Sequence, residues 1–383
     1  MTQTVSDLHA LIAPVERLDQ DPSVLQPKQD GIALCLSGGG YRAMLFHVGA
    51  IIRLNQLGFL NKLDRVSSVS GGSITAGVLA LNWKKLKFNS AGVAENLDEF
   101  SIAPIRAMAL RTIDASSIIE GALLPGTVSD KVRKAYQDHL FGNSTLQDLP
   151  DKPRFVINAT NVQSMALCRF SKPYMWDYKV GKIPKPKIAL AAAVAASSAF
   201  PPVLSPAELH LQESDFEANT GTSLQKEPYT TDMVLTDGGV YDNLGLETAW
   251  KKYSTILVSD GGGATQPEPE PKHDWGRHAY RILNIIDNQV RSLRKRQLIG
   301  GFKAGLRKGA YWGIRTDIKN YGLPDALPFP FDQTLQLANI PTRLKRIEPE
   351  QQKALINWGY AVCDAALRAH MDMGAVPSPV LPL

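Results

Sequence analysis

Two short segments of this chain carry the residue types that acyl transfer from an ester requires. The first is the glycine run Gly38-Gly39-Gly40, which follows an apolar stretch at residues 32–36. The second is Ser70, in the frame Ser68-Val69-Ser70-Gly71-Gly72. A glycine loop can point backbone N–H groups at an anion, and a serine on a tight turn can act as a nucleophile. The segments lie about 30 residues apart, the length of one βαβ unit, which predicts two loops at neighbouring strand ends.

Ser70 stands between a stretch with strand character, 64–69, and a stretch with helix character, 71–80. A nucleophile elbow is usually written G-x-S-x-G, and Ser68 replaces the first glycine here. Serine is small and unbranched at Cβ, so this departure is modest. The two following glycines permit a close turn and begin a helix whose free N–H groups favour negative charge. The plain alternative is a strand-to-helix turn that merely contains a serine.

The glycine run also has the position of a phosphate-binding loop. It precedes a predicted helix at 41–57 and matches the loose pattern G-x-G-x-x-A through Gly38, Gly40 and Ala43. A dinucleotide-binding loop would be followed about 20 residues later by an acidic residue at the end of the next strand, and a P-loop would continue with Gly-Lys-Ser/Thr. Neither feature is present, so an oxyanion-binding loop explains the glycine run better. Arg42 is predicted either to face a phospholipid phosphate or to be an ordinary helix-start residue.

Two aspartates are candidates for the base that would activate the serine. Asp237 and Asp260 each end an apolar strand pattern and precede glycines. An aspartate at the carboxyl end of a strand lies at the rim where open α/β sheets place their sites, and it can accept the serine proton directly. Spacing alone does not separate the two, and either could be a turn-forming Asp-Gly.

A Ser-His-Asp triad is less favoured by the positions of the seven histidines. None lies in an obvious strand-end loop late in the chain, where an α/β-hydrolase keeps its histidine. His273 and His278 come closest, and His47 is predicted to be packed on the first helix.

Three segments together resemble the signatures of patatin-like lipid acyl hydrolases. They are Ser-Gly-Gly-Gly-Tyr-Arg-Ala-Met at 37–44, Val-Ser-Gly-Gly-Ser at 69–73 and Asp-Gly-Gly-Val-Tyr-Asp-Asn-Leu-Gly at 237–245. The first is also similar to the glycine–arginine loop of the cytosolic group-four phospholipases. An Ala/Ser-rich segment at 193–202 is similar to a helix that packs near the site in this family. Ser37, Ser68 and Gly245 depart from the usual residues, which leaves the subfamily and the substrate preference open.

The resemblance implies a Ser-Asp dyad on a three-layer α/β/α fold. Ser70 would be the nucleophile and Asp237 the base, and Arg42 the substrate phosphate contact. The oxyanion hole would come from Gly38, Gly39 and Gly40, and we expect the N–H of Gly71 to join it. The expected function is a serine-dependent lipid acyl hydrolase of phospholipase A, lysophospholipase or esterase type. The alternative is a nucleotide- or anion-regulated effector or binding module. No cofactor is expected, and no metal-ligand spacing appears.

Strand and helix patterns alternate from 30 to 262, which predicts an α/β sandwich with a mainly parallel central sheet. We expect an N-terminal helical lead-in at 1–29, a catalytic domain at 30–262 with a helical insertion at 83–150, and a C-terminal basic helical extension at 263–383, packed on the same domain. The segment 261–275 is rich in Gly, Pro and Glu, which predicts a loop or lid.

The basic charge of the chain is concentrated near its end. From Asn288 to Thr316 there are eight Lys or Arg and no Asp or Glu. This pattern predicts an anionic membrane contact through Arg291, Arg294, Lys295 and Arg296, a pocket for an anionic small-molecule regulator, or a plain solvated face. Aromatic residues are sparse there, so nucleic acid is not expected. The start of the chain lacks a secretory pattern, so the expected location is cytoplasmic, with peripheral contact at the inner membrane face.

Overall fold

The computed structural model describes residues 28–113, 127–263, 265–374 and 376–383. The predicted lead-in at 1–29 lies almost entirely outside the described residues, as do residues 114–126 of the predicted helical insertion. No helix in the described ranges is both long and apolar enough to cross a membrane.

A single mixed sheet runs through the described part of the chain, in the order β10-β9-β1-β2-β3-β4-β5-β6, with β8 against β3 and β7 against β8. Strands β10, β9, β1, β2 and β3 are parallel to one another. The other pairs are antiparallel and extend the sheet beyond β3. The strands are β1 (Gln29–Leu36), β2 (Leu63–Val69), β3 (Arg154–Asn161), β4 (Ala166–Phe170), β5 (Tyr174–Asp177), β6 (Gly181–Pro184), β7 (Ala207–His210), β8 (Asp232–Asp237), β9 (Tyr253–Asp260) and β10 (Lys308–Gly313).

Helices connect the parallel strands and follow the last one. They are α1 (Gly40–Gln56), α2 (Gly71–Asn82), α3 (Ala103–Ala109), α4 (Val128–Tyr136), α5 (Leu190–Ser197), α6 (Gly239–Asp242), α7 (Glu247–Trp250), α8 (Trp275–Lys303), α9 (Phe331–Ala338) and α10 (Pro349–His370). The described part of the segment 83–150 contains α3, α4 and short 3₁₀ and π turns, joined by non-helical stretches such as 86–96.

Successive residues of β1 pack into two separate cores, because side chains alternate across a strand. Leu34 and Leu36 join the larger core, which includes α1, α2 and α10. Ala33 and Cys35 join the smaller core with residues of α7 and α8. Helices therefore cover both faces of the sheet, which confirms the three-layer α/β/α fold predicted from the sequence.

Helix α10 packs along α1, the helix that follows the glycine loop. The contact includes a buried ion pair between Arg53 and Asp364, whose closest atoms lie 2.6 Å apart. Both charged groups are fully desolvated, and removing one partner of such a pair typically costs about 3–5 kcal/mol. The helix that carries the glycine loop is thus fixed by a segment about 300 residues later in the chain.

Candidate active site

Two strands meet end to end along β3, and their carboxyl ends carry Ser70 and Asp237. Strand β2 runs parallel to β3 and ends with Val69 opposite Asn158. Strand β8 runs antiparallel to β3 and ends with Asp237 opposite Ala159, the next residue of β3. Because the two strands approach from opposite directions on the same side of β3, their last residues come together. The pairing register therefore brings the predicted nucleophile and the predicted base to one point.

Ser70 occupies a sharp turn between β2 and α2. Its backbone has φ 52° and ψ −122°, a conformation that residues with a side chain rarely adopt. The next residue must be glycine, because a Cβ on Gly71 would lie 2.1 Å from the carbonyl oxygen of Gly40. The strained turn places Ser70 on the wall of a cavity while its side chain remains 6% exposed.

The end of α5 and the residues after it hold both sides of this junction. The backbone N–H of Ser70 donates to Ser197 Oγ at 3.0 Å. Ala199 supplies the carbonyl oxygen that accepts from Asp237 N at 3.0 Å and from Thr236 Oγ1 at 3.1 Å. The Ala/Ser-rich segment therefore packs at the site, as the sequence resemblance implied, and fixes the distance between the two strand ends.

Asp237 is a buried carboxyl with an incomplete set of partners. Oδ1 accepts a 2.7 Å hydrogen bond from Gly239 N, whereas Oδ2 is buried without a partner in full hydrogen-bond geometry. Burial is the largest influence on this group and raises the pKa of Asp237 to about 7, against the lowering effects of Gly239 N–H and the Ser70 side chain. A carboxyl with this pKa can exchange a proton near neutral pH.

The buried carboxyl makes a testable contribution to stability. Asp237 binds its proton more tightly in the folded than in the unfolded chain, so its ionisation removes stability as pH rises from about 4 to about 7. We expect Asp237→Asn, which cannot ionise, to be more stable than the parent at pH 8 by up to roughly 4 kcal/mol. Urea unfolding of both proteins at pH 5 and pH 8 measures the difference. A difference that does not grow with pH would contradict the raised pKa.

The glycine loop leaves three backbone donors unused beside Ser70. Among the hydrogen bonds of the described residues, none has the N–H group of Gly39, Gly40 or Gly71 as its donor. The N–H of Gly38 is different, because it donates to Asn243 O at 3.1 Å. Gly38 was expected to belong to the oxyanion hole, and this bond takes its donor away. Glycine is needed at this position for packing, since a Cβ on Gly38 would lie 2.3 Å from Asn243 Oδ1.

Arg42 is buried beneath the glycine loop and does not line the cavity. Its Nε donates to Gly261 O at 3.1 Å, Nη2 donates to Thr342 Oγ1 at 3.0 Å, and Nη1 donates to Ile340 O. Burial lowers the pKa of Arg42 to about 10. The expected contact with a substrate phosphate is therefore corrected: Arg42 clamps the glycine loop to two distant segments. The neighbouring Tyr41 N–H donates to Arg343 O, which adds a second tie to the same region.

Asp260 lies away from Ser70 and has other partners. Its strand β9 is separated from β2 by β1, two strand spacings or about 10 Å. Tyr311 OH and Gly262 N donate to its two oxygens at 2.8 and 2.9 Å. Burial alone would raise the pKa of Asp260, but Arg291 and these hydrogen bonds hold it below its ordinary value. Asp260 thus has hydrogen-bond and charge partners of its own away from Ser70, in contrast to Asp237 at the end of β8.

The basic residues that were predicted to contact an anionic membrane or regulator have different partners in the structure. Arg294 forms an ion pair with Glu247 at 3.0 Å. Arg291 donates to the carbonyl oxygens of the glycines after Asp260, and Lys295 lies over the Tyr311 ring at 4.5 Å. Both line a small polar cavity of about 190 Å³ beside Asp260. The anionic regulator stays a prediction.

The three histidines singled out from the sequence, all of them among the described residues, do not complete a triad with Ser70. His47 is fully buried, and its ring nitrogens lie 2.8 Å from Ser259 Oγ and 2.9 Å from Ser37 O. Burial lowers the pKa of His47 to about 4, so it is neutral at pH 7. His273 and His278 are exposed and do not line the cavity at Ser70.

A cavity of about 1010 Å³ opens at Ser70 and Gly40. Its walls are mostly apolar and come from three stretches, 200–204, 274–283 and 342–344. None of the described residues of 83–150 lines it. The volume and the apolar lining suit a long hydrocarbon chain, with the polar atoms of the strand ends at one side.

Residues 34–250 match the family model described as patatin-like phospholipase. This chain belongs to the patatin-like phospholipase family. The match confirms the family that the three sequence signatures indicated. No curated protein matches the chain in sequence.

Solved structures with this patatin-like fold include the human GIVD cytosolic phospholipase A2, with 12% identity and a TM-score of 0.50. That match covers 93% of the patatin-like chain and 63% of the human protein, so the chain spans less than two thirds of that structure. VipD from Legionella pneumophila is also similar, with 16% identity and a TM-score of 0.35 over 90% of this chain and 67% of VipD.

The patatin-like match ends at residue 250, whereas two of the three cavity walls lie beyond it. The cavity walls at 274–283 and 342–344 were not predicted from the sequence. A signal was present at the first, since Trp275, Ala279, Tyr280 and Leu283 follow a helical spacing just after the Pro/Glu loop. No local pattern marks Thr342, Arg343 and Leu344 as cavity residues.

Proposed function

We propose that this chain is a serine-dependent lipid acyl hydrolase with Ser70 as nucleophile and Asp237 as its base. The observation that carries the proposal is the end-to-end meeting of β2 and β8 along β3, with Val69 and Asp237 opposite consecutive residues. The family match supports the class of reaction, and the apolar cavity at Ser70 supports a fatty acyl ester as the substrate.

The proposed reaction has two steps that use the same two side chains. Ser70 Oγ attacks the ester carbonyl carbon while its proton passes to the Asp237 carboxylate. The C–O bond to the alcohol then breaks, and the leaving alkoxide takes that proton from Asp237. A water molecule next attacks the acyl-serine ester and gives a proton to Asp237. Collapse of this second intermediate releases the fatty acid and returns the proton to Ser70 Oγ.

The negative charge that develops on the carbonyl oxygen in both steps needs donors that are already in place. The free N–H groups of Gly39, Gly40 and Gly71 are the proposed oxyanion hole. Gly40 and Gly71 begin α1 and α2, so the positive ends of two helix dipoles also favour the anion. This set replaces the expected set, from which Gly38 is removed.

A fluorophosphonate probe with a long alkyl chain tests this function, because only an activated serine reacts quickly with it. We expect labelling of Ser70, and we expect the labelling rate to rise with pH through about 7, since Asp237 must be ionised to accept the proton. Mass spectrometry of the labelled peptide identifies the serine, and Ser70→Ala is the control. Absence of labelling in the folded parent, or labelling of a different serine, would contradict the proposal.

A further inference from the structure

Helix α8 presents charged side chains to the protein and apolar side chains to solvent, the reverse of an ordinary surface helix. On the inner side, Arg291 donates to Gly262 and Gly263 carbonyl oxygens and Arg294 pairs with Glu247. Burial raises the pKa of Asp287 on this side. Only Leu298 and Gly301 of the helix are buried. The inward contacts of α8 therefore combine these polar contacts with apolar packing at Leu298 and Phe302, and the apolar residues on its exposed side need a separate explanation.

Four of the six large exposed apolar residues of α8 form a stripe along one face, namely Trp275, Ile282, Ile286 and Leu293, whereas Ile285 lies beside the stripe and Tyr280 lines the cavity. Their spacings of seven, four and seven residues place them along one face of a helix. Their exposed fractions are 88%, 43%, 54% and 58%. Single exposed apolar residues are normal, but a stripe of large ones on one helix marks an interaction surface.

Charge indicates which partner this stripe meets. Helix α8 contains seven Lys or Arg and one Asp. Arg296 lies three residues beyond Leu293, and Lys303 seven residues beyond Arg296, so both lie along one border of the stripe and both are exposed. A second copy of the chain would bring two strongly cationic helices together, whereas a bilayer with anionic lipids would meet both the apolar stripe and its basic border.

The stripe also begins where the cavity opens. Trp275 belongs both to the stripe and to the wall of the cavity at Ser70, and Ala279, one turn later, belongs to the same wall. The helix has 29 residues and is about 43 Å long, enough to lie in the interface over several lipid headgroups. A lipid could therefore pass from the bilayer into the cavity along the Trp275 end without crossing water.

We propose that the stripe of α8 docks this chain on an anionic bilayer, with the Trp275 end delivering lipid to the cavity; the delivery, but not the docking, rests on the proposed function. The docking differs from the membrane contact expected from the sequence. The apolar stripe inserts, with Arg296 and Lys303 at its border. Arg291 and Arg294 instead hold the helix to the protein.

Sedimentation with vesicles tests the docking apart from hydrolysis when the full chain carries Ser70→Ala. The vesicles contain phosphatidylcholine with about one third phosphatidylglycerol, and a matched set contains phosphatidylcholine alone. We expect the Ser70→Ala protein to bind the anionic set, and added Ile282→Ser, Ile286→Ser and Leu293→Ser to weaken binding at least tenfold. The matched control is Val380→Ser, which removes an apolar side chain that is 72% exposed and lies off α8.

The same triple substitution in the active chain separates the two proposals. We expect it to keep hydrolysis of a short soluble ester within about twofold of the parent and to lose hydrolysis of vesicle phospholipid. The docking is overturned if the Ser70→Ala protein does not sediment with anionic vesicles. It is also overturned if the triple variant binds them as the parent does, including the case in which it only converts a dimer to a monomer in analytical ultracentrifugation. Failure of soluble ester hydrolysis in the parent would contradict the proposed function and leave the binding result unaffected.

Discussion

Ser70→Ala and Asp237→Asn are each expected to lower kcat for ester hydrolysis by about 10⁴-fold or more. In the proposed reaction the first removes the atom that forms the acyl bond, and the second removes the carboxylate that takes its proton at the junction of β2 and β8 along β3. Residues that act as one unit fail together, so the double variant should be no slower than the slower single variant. Initial rates with a soluble ester, measured on folded proteins, provide the values.

Asp260→Asn is the matched control for the base. It makes the same change in a second buried aspartate at the end of a neighbouring strand, two strand spacings from β2. The amide keeps one oxygen that can accept from Gly262 N, and its NH2 group can donate to the Tyr311 hydroxyl, so we expect activity within about tenfold of the parent. An inactive Asp260→Asn protein beside an active Asp237→Asn protein would reverse the assignment of the base.

Gly39→Ala is expected to reduce kcat by about 10²–10³-fold, the usual loss when one oxyanion donor is removed. Gly39 has φ 141°, which an alanine does not readily adopt, and its Cβ would lie 3.0 Å from Gly261 O. The loop must then shift, and the N–H groups of Gly39 and Gly40 move with it. The loss should appear in kcat more than in KM, because the anion forms only during the reaction.

Gly322→Ala separates this effect from simple backbone strain. Gly322 also has a positive φ, 66°, but a Cβ there would meet no atom within 4 Å and the residue is exposed. We expect it to cost about 1 kcal/mol of stability with activity unchanged. A Gly39→Ala protein that folds and turns over at the parent rate would remove Gly39 from the oxyanion hole.

Local sequence could identify Ser70 and the glycine run, because an elbow and a glycine loop are short motifs with their own backbone requirements. Spacing could not choose between Asp237 and Asp260, since both end apolar strands before glycines. The choice depends on strand direction. β8 runs antiparallel to β3 and so points back at β2, whereas β9 runs parallel and lies beyond β1. The residues of β8 do not themselves indicate in which direction the strand runs relative to β3.

The roles of the arginines were also beyond the sequence. A cation after a glycine loop has the right type for a phosphate contact, but Arg42 is turned inward by carbonyl oxygens at residues 261 and 340. Arg291 and Arg294 belong to a basic run, yet their partners lie on the loop after β9 and on α7. Long-range partners of this kind are set by the packed fold, so a charge count along the chain could not assign them.

The ties from Tyr41 and Arg42 to residues 340–343 also have a consequence for the order of events during synthesis. A ribosome makes Ser70 early and Asp237 much later, and the clamp on the glycine loop emerges about 100 residues after that. At about 5–20 residues per second, the roughly 270 residues between Ser70 and the clamp take about 14–54 s to synthesise, and during this time the oxyanion loop is unanchored. The proposed hydrolase therefore completes its oxyanion loop only after nearly the whole described chain has left the ribosome.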